Sequence, residues 1–264
     1  MPSVVQLNRL RSQLNAVANH FGQGDEFFNA LKALLDYYGD HKLAVNQRLK
    51  EPSNMLRLHV PPSVLLEVNS RLQILAKGNP NSAIDTADQL WASNIYELKS
   101  GAIAILSSLS SIFQDQVISR ISVWISPQLD SQLLHEIQQG FEANPDILLN
   151  KDWIKTLSNW LAVEDDELKR MGLRALKQTI QLNFENLPQI FSLLTPIIQQ
   201  PSLPIQKELL EVIKSLIQRS EAETASFLIM AGTLYPQNNI LAFIRKCLPF
   251  FDSYFETEIL SALT

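Results

Sequence analysis

Cysteine, glycine and histidine are all scarce in this chain, and each scarcity removes a class of protein. Cys247 is the only cysteine among 264 residues, so no disulfide can close within the chain and a reducing compartment is expected. Eight glycines are few for a sheet protein built on tight turns. The four histidines, His20, His41, His59 and His135, stand far apart. His135-Glu136 is followed by Ile137, Gln138 and Gln139, so the second histidine of a zinc-protease helix is missing and no metal is expected. A phosphate-cradling glycine loop, a paired-cysteine motif and a nucleophile elbow are equally absent, and nothing implies a cofactor.

No apolar run reaches the roughly 18 residues of a membrane span. The opening Met1-Pro2-Ser3 lacks the basic and then apolar layout of a signal peptide, so the expectation is a cytoplasmic protein, a monomer without membrane contact. Net charge is −5. A free-standing nucleic-acid binder is usually basic, because phosphate neutralisation supplies most non-specific affinity. The total therefore argues against nucleic acid unless cations are gathered locally.

What the chain does have is leucine and isoleucine at three- and four-residue spacing. Val4, Leu7, Leu10, Leu14, Val17 and Phe21 form one stripe behind Ser3 as its cap, and Phe27, Phe28, Leu31, Leu34, Leu35 and Tyr38 form a second. The stretch from Asn54 to Pro62 has no such stripe and reads as a connection. The spacing resumes at Val64 and stops at Gly78-Asn79-Pro80. Later breaks fall near Asn94, Ser126-Pro127, Asn144-Pro145, Glu164-Asp165, Pro201 to Pro204, and Pro236. No segment alternates with period two.

The pattern also repeats. Gln89-Leu90-Trp91 leads into Tyr96-Glu97-Leu98-Lys99, with Gly101 and Ala102 one turn on. Asn159-Trp160-Leu161 leads in the same way into Asp166-Glu167-Leu168-Lys169, with Gly172 beyond. A weaker copy starts at Pro204-Ile205-Gln206-Lys207. A plain helical bundle would bury the same stripes, but spaced copies favour stacked helix pairs. The expected fold is all-α, a right-handed α-α superhelix of HEAT-like repeats forming one solenoid domain over 1–264. Residues 1–50 are expected to cap one end and 236–264 the other.

One charge pattern stands out. Arg170, Arg174 and Lys177 fall at i, i+4 and i+7, with Lys169 beside them, which sets cations along one helix face. Lys151 and Lys155 on the preceding helix could extend the patch. Such a strip can track phosphates. It can equally be a solvated face, offset by Glu164, Asp165, Asp166 and Glu167 at the helix start. Trp91, Trp153 and Trp160 sit at helical spacing and read as core, while Trp124 lies just ahead of the Ser126-Pro127 break.

Taken together, Leu90-Trp91-Ala92-Ser93 with Tyr96-Glu97-Leu98-Lys99, Trp160-Leu161 with Leu168-Lys169-Arg170, and Ile205-Gln206-Lys207 resemble the HEAT-like DNA alkylation repair family of bacterial alkylpurine DNA glycosylases. Val60-Pro61-Pro62 resembles that family's early proline-containing turn. The likeness spans residues 55–220. It implies a concave cationic surface for duplex DNA, damaged or intact, and removal of cationic N3- or N7-alkylated purines. It also implies a site with an aspartate near the sugar, an arginine on the backbone and two tryptophan faces. By position the aspartate is Asp130 and the arginine Arg170, the pair expected to be catalytic, with Lys151, Lys155, Lys169, Arg170, Arg174 and Lys177 binding DNA. The two tryptophan positions hold Ser126 and Glu211 instead. Asp130 can also be read as a helix cap. Three readings follow: a DNA-binding member with altered lesion choice or without excision, a helical scaffold for a protein partner, and an active glycosylase whose aromatic residues lie out of register.

Overall fold

Apolar stripes of this spacing form helices, and among the described residues of the computed structural model there are fifteen α-helices and no strand. The structure describes residues 7–40, 55–109, 111–142, 145–148, 150–182 and 185–263. Helices α1 (Leu7–Ala18), α2 (Asp25–Tyr38), α3 (Pro62–Gly78), α4 (Pro80–Ala92), α5 (Tyr96–Ser107), α6 (Gln114–Trp124) and α7 (Ser131–Glu142) come first. The short α8 (Pro145–Leu148) leads to α9 (Lys151–Ala162), α10 (Asp166–Gln181), α11 (Leu187–Gln199) and α12 (Gln206–Arg219). The last three are α13 (Glu221–Leu234), α14 (Asn238–Cys247) and α15 (Ser253–Ala262). The all-α repeat class read from the sequence holds. The Ser3 cap and residues 41–50 lie outside the described residues.

The boundaries follow local chemistry. Pro62 and Pro80 occupy first helical positions, where no intrahelical N–H is needed. Asn150, Asp165, Asn186 and Asp252 cap α9, α10, α11 and α15, each side chain accepting a first-turn N–H. The break at Ser220 carries no proline or glycine, and the one after Leu182 is marked only by Asn186 and Pro188 at the start of α11; the spacing of apolar residues alone passes over both. Pro196 sits inside α11 without ending it.

The chain divides into two compact units, residues 1–123 with 130–141 and residues 124–129 with 142–264. In the first, α3 packs on α1, α4 and α5, and α4 on α5. Side chains tie alternate helices together. Arg11 reaches Glu67 at 2.6 Å from α1 to α3, and Asn69 donates to Ser100 at 3.0 Å from α3 to α5. On the other side Gln89 donates to Asp25 at 2.8 Å, and Arg120 pairs with Asp88 at 2.7 Å. One row therefore runs α1, α3, α5, α7, and the other α2, α4, α6. The second unit repeats the plan: α9, α11, α13 and α15 form one row and α10, α12 and α14 the other, with α9 on α10 and α12 on α13.

The repeated glycines mark where helices come closest. A Cβ on Gly101 would lie 2.9 Å from a Leu72 methyl, and one on Gly172 would lie 2.9 Å from a Leu161 methyl. Both are tighter than carbon atoms tolerate, so each copy needs its glycine for close packing, Gly101 against a helix of its own row and Gly172 against the preceding helix of the other row.

The strandless connection before α3 is held by one buried carboxylate. Glu97, 4 % exposed, accepts the Leu58 N–H at 3.0 and 3.1 Å and the Val60 N–H at 3.5 Å. Between them His59 adopts a left-handed φ of 57°, a conformation that costs a residue with a side chain. Leu56 also bridges to Ile95 across this connection. Replacing Glu97→Ala strips the acceptor from two N–H groups, and urea denaturation is expected to show a loss of about 1–3 kcal/mol for each donor left buried. An unchanged midpoint would mean that the segment is held by other contacts.

Candidate nucleic-acid interface

Helix α10 starts with Asp165 accepting the Leu168 N–H at 2.8 Å and with Asp166 and Glu167 in its first turn, which suits the positive end of the helix dipole. Its apolar stripe, Leu168, Met171, Leu173, Ala175, Leu176 and Ile180, is buried. That stripe leaves Lys169, Arg170, Arg174 and Lys177 part-exposed, as their spacing implies.

Each of the three periodic cations has a carboxylate partner. Arg170 pairs with Glu167 one turn back. Arg174 donates to Glu208 of α12 at 2.8 Å, and Lys177 reaches Glu211 of α12 at 3.0 Å. Lys214 approaches Glu211 from the other side at 2.7 Å. Lys214 and Lys177 together hold the Glu211 carboxyl below the usual carboxylate range. Glu211, at one expected aromatic position, is thus the hinge of a charge ladder between α10 and α12. Lys151 and Lys155 are exposed on α9 and form no ion pair among the described residues.

Beyond α9, which carries Lys151, Asp152 and Lys155, charge in this unit sorts by row. Helices α10, α12 and α14 carry Lys169, Arg170, Arg174, Lys177, Lys207, Lys214, Arg219, Arg245 and Lys246 against Asp166, Glu167, Glu208 and Glu211. Helices α11, α13 and α15 carry no lysine or arginine. The net charge of −5 conceals this separation.

Asp130 belongs to the other unit and is already engaged on both oxygens. Arg57 Nη2 donates to Oδ2 at 2.6 Å, and the Gln132 N–H donates to Oδ1 at 2.9 Å, capping α7. Arg57 also donates to Gln132 Oε1 at 2.6 Å, and its guanidinium lies 4.1 Å over the Tyr96 ring. Tyr96 in turn donates its hydroxyl to Glu136. The cap role of Asp130 was legible from Pro127 and the apolar helix after it. Arg57 was not, because it stands 73 residues away in the connection before α3 and belongs to no periodic pattern.

The tryptophans are structural. Trp153 and Trp160 are buried and meet edge to face at 5.3 Å. Trp124, the candidate nearest a break, is 8 % exposed and presents no open face. Trp91 is half-buried under the Lys99 ammonium at 4.2 Å. Ser126 is half-buried and offers no ring. The Cys247 thiol is buried, which pushes its pKa up to about 12, so it is not poised as a nucleophile. No group of three or more metal-binding side chains gathers among the described residues, and no helix there is long and apolar enough to cross a membrane.

A family model described as DNA alkylation repair enzyme matches residues 67–240, well over half of the chain. The chain belongs to the DNA alkylation repair enzyme family. The match begins later and runs further than the 55–220 stretch whose motifs resemble that family. Comparison with curated proteins found no match.

Burial and the hydrogen bond to Glu136 raise the Tyr96 phenol well above its ordinary 10.0, the opposing charge of Arg57 notwithstanding. A raised pKa favours the protonated phenol in the folded state, so its contribution to stability is complete below about pH 10 and is lost as pH rises beyond it. An ultraviolet titration is expected to show Tyr96 ionising after the other four tyrosines, the late step disappearing in Tyr96→Phe. A late step that survives the substitution would assign it to another tyrosine.

Proposed function

We propose that the protein binds duplex DNA through the row α10, α12 and α14 and does not excise bases. The observation that carries this reading is the separation of charge, with nine cations gathered on the three helices of one row. Family membership supports DNA as the ligand. Ion pairs at a surface are worth only about 0–1 kcal/mol, so a phosphate that also releases counterions can compete for the same cations. Arginine carries five donors in a planar fork, so Glu167 and Glu208 orient Arg170 and Arg174 without exhausting what the side chain can do. Lys169 sits beside them, and Lys151 and Lys155 on α9 add positive charge to the same unit.

The case against excision rests on three positions. A carboxylate that steadies an oxocarbenium-like sugar has to face the sugar with its charge uncompensated. Asp130 gives one oxygen to Arg57 and the other to the α7 cap. Cationic purines are recognised by aromatic faces, and Ser126 and Glu211 have none. The reading is recognition of DNA, intact or damaged, by a protein that does not cleave the glycosidic bond.

Fluorescence anisotropy with a labelled duplex, with and without an abasic-site mimic, tests this across a range of salt. Binding is expected at low salt and is expected to weaken steeply as salt rises. The double variant Arg170→Ala with Arg174→Ala is expected to bind more weakly, with the slope of log K against log salt shallower by about 2 if both side chains meet phosphates. Binding that is unchanged in the double variant would falsify the α10 interface. Methylated duplex incubated with the protein is expected to release no more alkylpurine than duplex alone, and release above that level would return Asp130 to a catalytic role.

A further inference from the structure

Beyond α9, the second row of the same unit has the opposite character. Its charged side chains on α11, α13 and α15 are Glu221, Glu223, Glu256 and Glu258, all acids. Between α11 and α13 the surface opens into a groove of about 600 Å³. Pro188, Phe191, Phe227 and Met230 form its apolar walls, with Glu223 and Ser226 among its lining. The Phe191 and Phe227 rings stack with centroids 4.8 Å apart and planes 29° from parallel. Phe227 is buried, while Met230 is 48 % exposed.

Stacked aromatic rings fix the floor, and a methionine at the rim adapts to what enters. The lining extends from Pro188 to Thr195 on α11 and from Ala222 to Met230 on α13, about two helical turns. Exposed apolar surface with a polar margin marks a place where another surface docks.

We propose that this groove receives an amphipathic helix of a protein partner, with two or three apolar side chains on one stripe and lysine or arginine beside them. Length and apolar lining match the way a helix lies in a groove, anchored at i, i+3 or i+4, and i+7. Charge selects the kind of helix. With Glu223 at the groove itself and only acids among the charged residues of α11, α13 and α15, the site attracts a basic flank and repels an acidic one. The same acids repel duplex DNA. The proposal does not depend on DNA binding, which uses the other row.

The test uses the full chain and two fluorescent helical peptides of about 16 residues. Both carry the same Leu and Phe stripe, one with Lys on its flanks and the other with Glu. The Lys peptide is expected to bind about tenfold more tightly than the Glu peptide at low salt, and the difference is expected to vanish near 1 M salt, where the screening length is about 3 Å. Met230→Asp is expected to weaken both peptides about tenfold. Glu223→Lys, an exposed change, is expected to remove the preference for the Lys peptide while leaving the fold unchanged by circular dichroism. Duplex binding is expected to be unaltered in both variants, which separates this proposal from the DNA reading. Equal binding of the two peptides, or binding indifferent to Met230→Asp, would overturn it. Self-association in the ultracentrifuge that Met230→Asp abolishes, without peptide binding, would overturn it in favour of a second copy of the chain.

Discussion

Helices in the two rows bury apolar surface in two directions, against a neighbour in the other row and against the next helix of their own row. Neither contact is sufficient alone, because a helix of this length gains little from its own hydrogen bonds in water. Packing in both directions covers a stripe too wide for one partner. Gly101 and Gly172 show how close the approach becomes, since each leaves room for a leucine methyl where a Cβ would stand. The loops are then free to vary in length so long as the rows continue.

That double burial also decides where charge can go. Once two sides of a helix are covered, the outward side of each row is what remains for lysine, arginine and glutamate. Charge on alternate helices therefore accumulates on one side of a unit, and in the second unit it separates beyond α9. The row with α10, α12 and α14 gathers nine cations, and α11, α13 and α15 hold only acids, while Lys151 and Lys155 stand on α9 at the start of that second row. The carboxylates Glu208 and Glu211 hold Arg174 and Lys177 in place across α10 and α12. One unit thus offers two surfaces of opposite character, one gathering cations and one acidic and apolar.

Residue type at one position does not settle chemistry. Asp130 stands where a catalytic aspartate is expected, yet its two oxygens serve Arg57 and the first turn of α7. Arg57 in turn is steadied by the Tyr96 ring and Gln132. A carboxylate so placed stabilises a helix end and a connection, and the compensating guanidinium lowers the field it can exert on a ligand. Family membership therefore does not by itself assign a role to Asp130: the frame is shared, and what a side chain does within it depends on its neighbours.

Much of this was legible in the sequence because it is local. Helical spacing, the prolines at 62 and 80, the Asp165 cap and the cation run on α10 are all set within a few residues of chain, and so is the all-α class. The break at Ser220 escaped because no proline or glycine marks it, and the one after Leu182 because its only signals, Asn186 and Pro188, belong to the start of the next helix. The pairing of Arg57 with Asp130, of Arg174 with Glu208 and of Phe191 with Phe227 joins residues distant in the chain, and no periodicity encodes such meetings. Sequence by itself determined the helices, their repetition and the family. Tertiary packing alone decided which cations are paired, which aspartate is spent on a cap and which apolar surface is left uncovered, because those depend on which helices become neighbours.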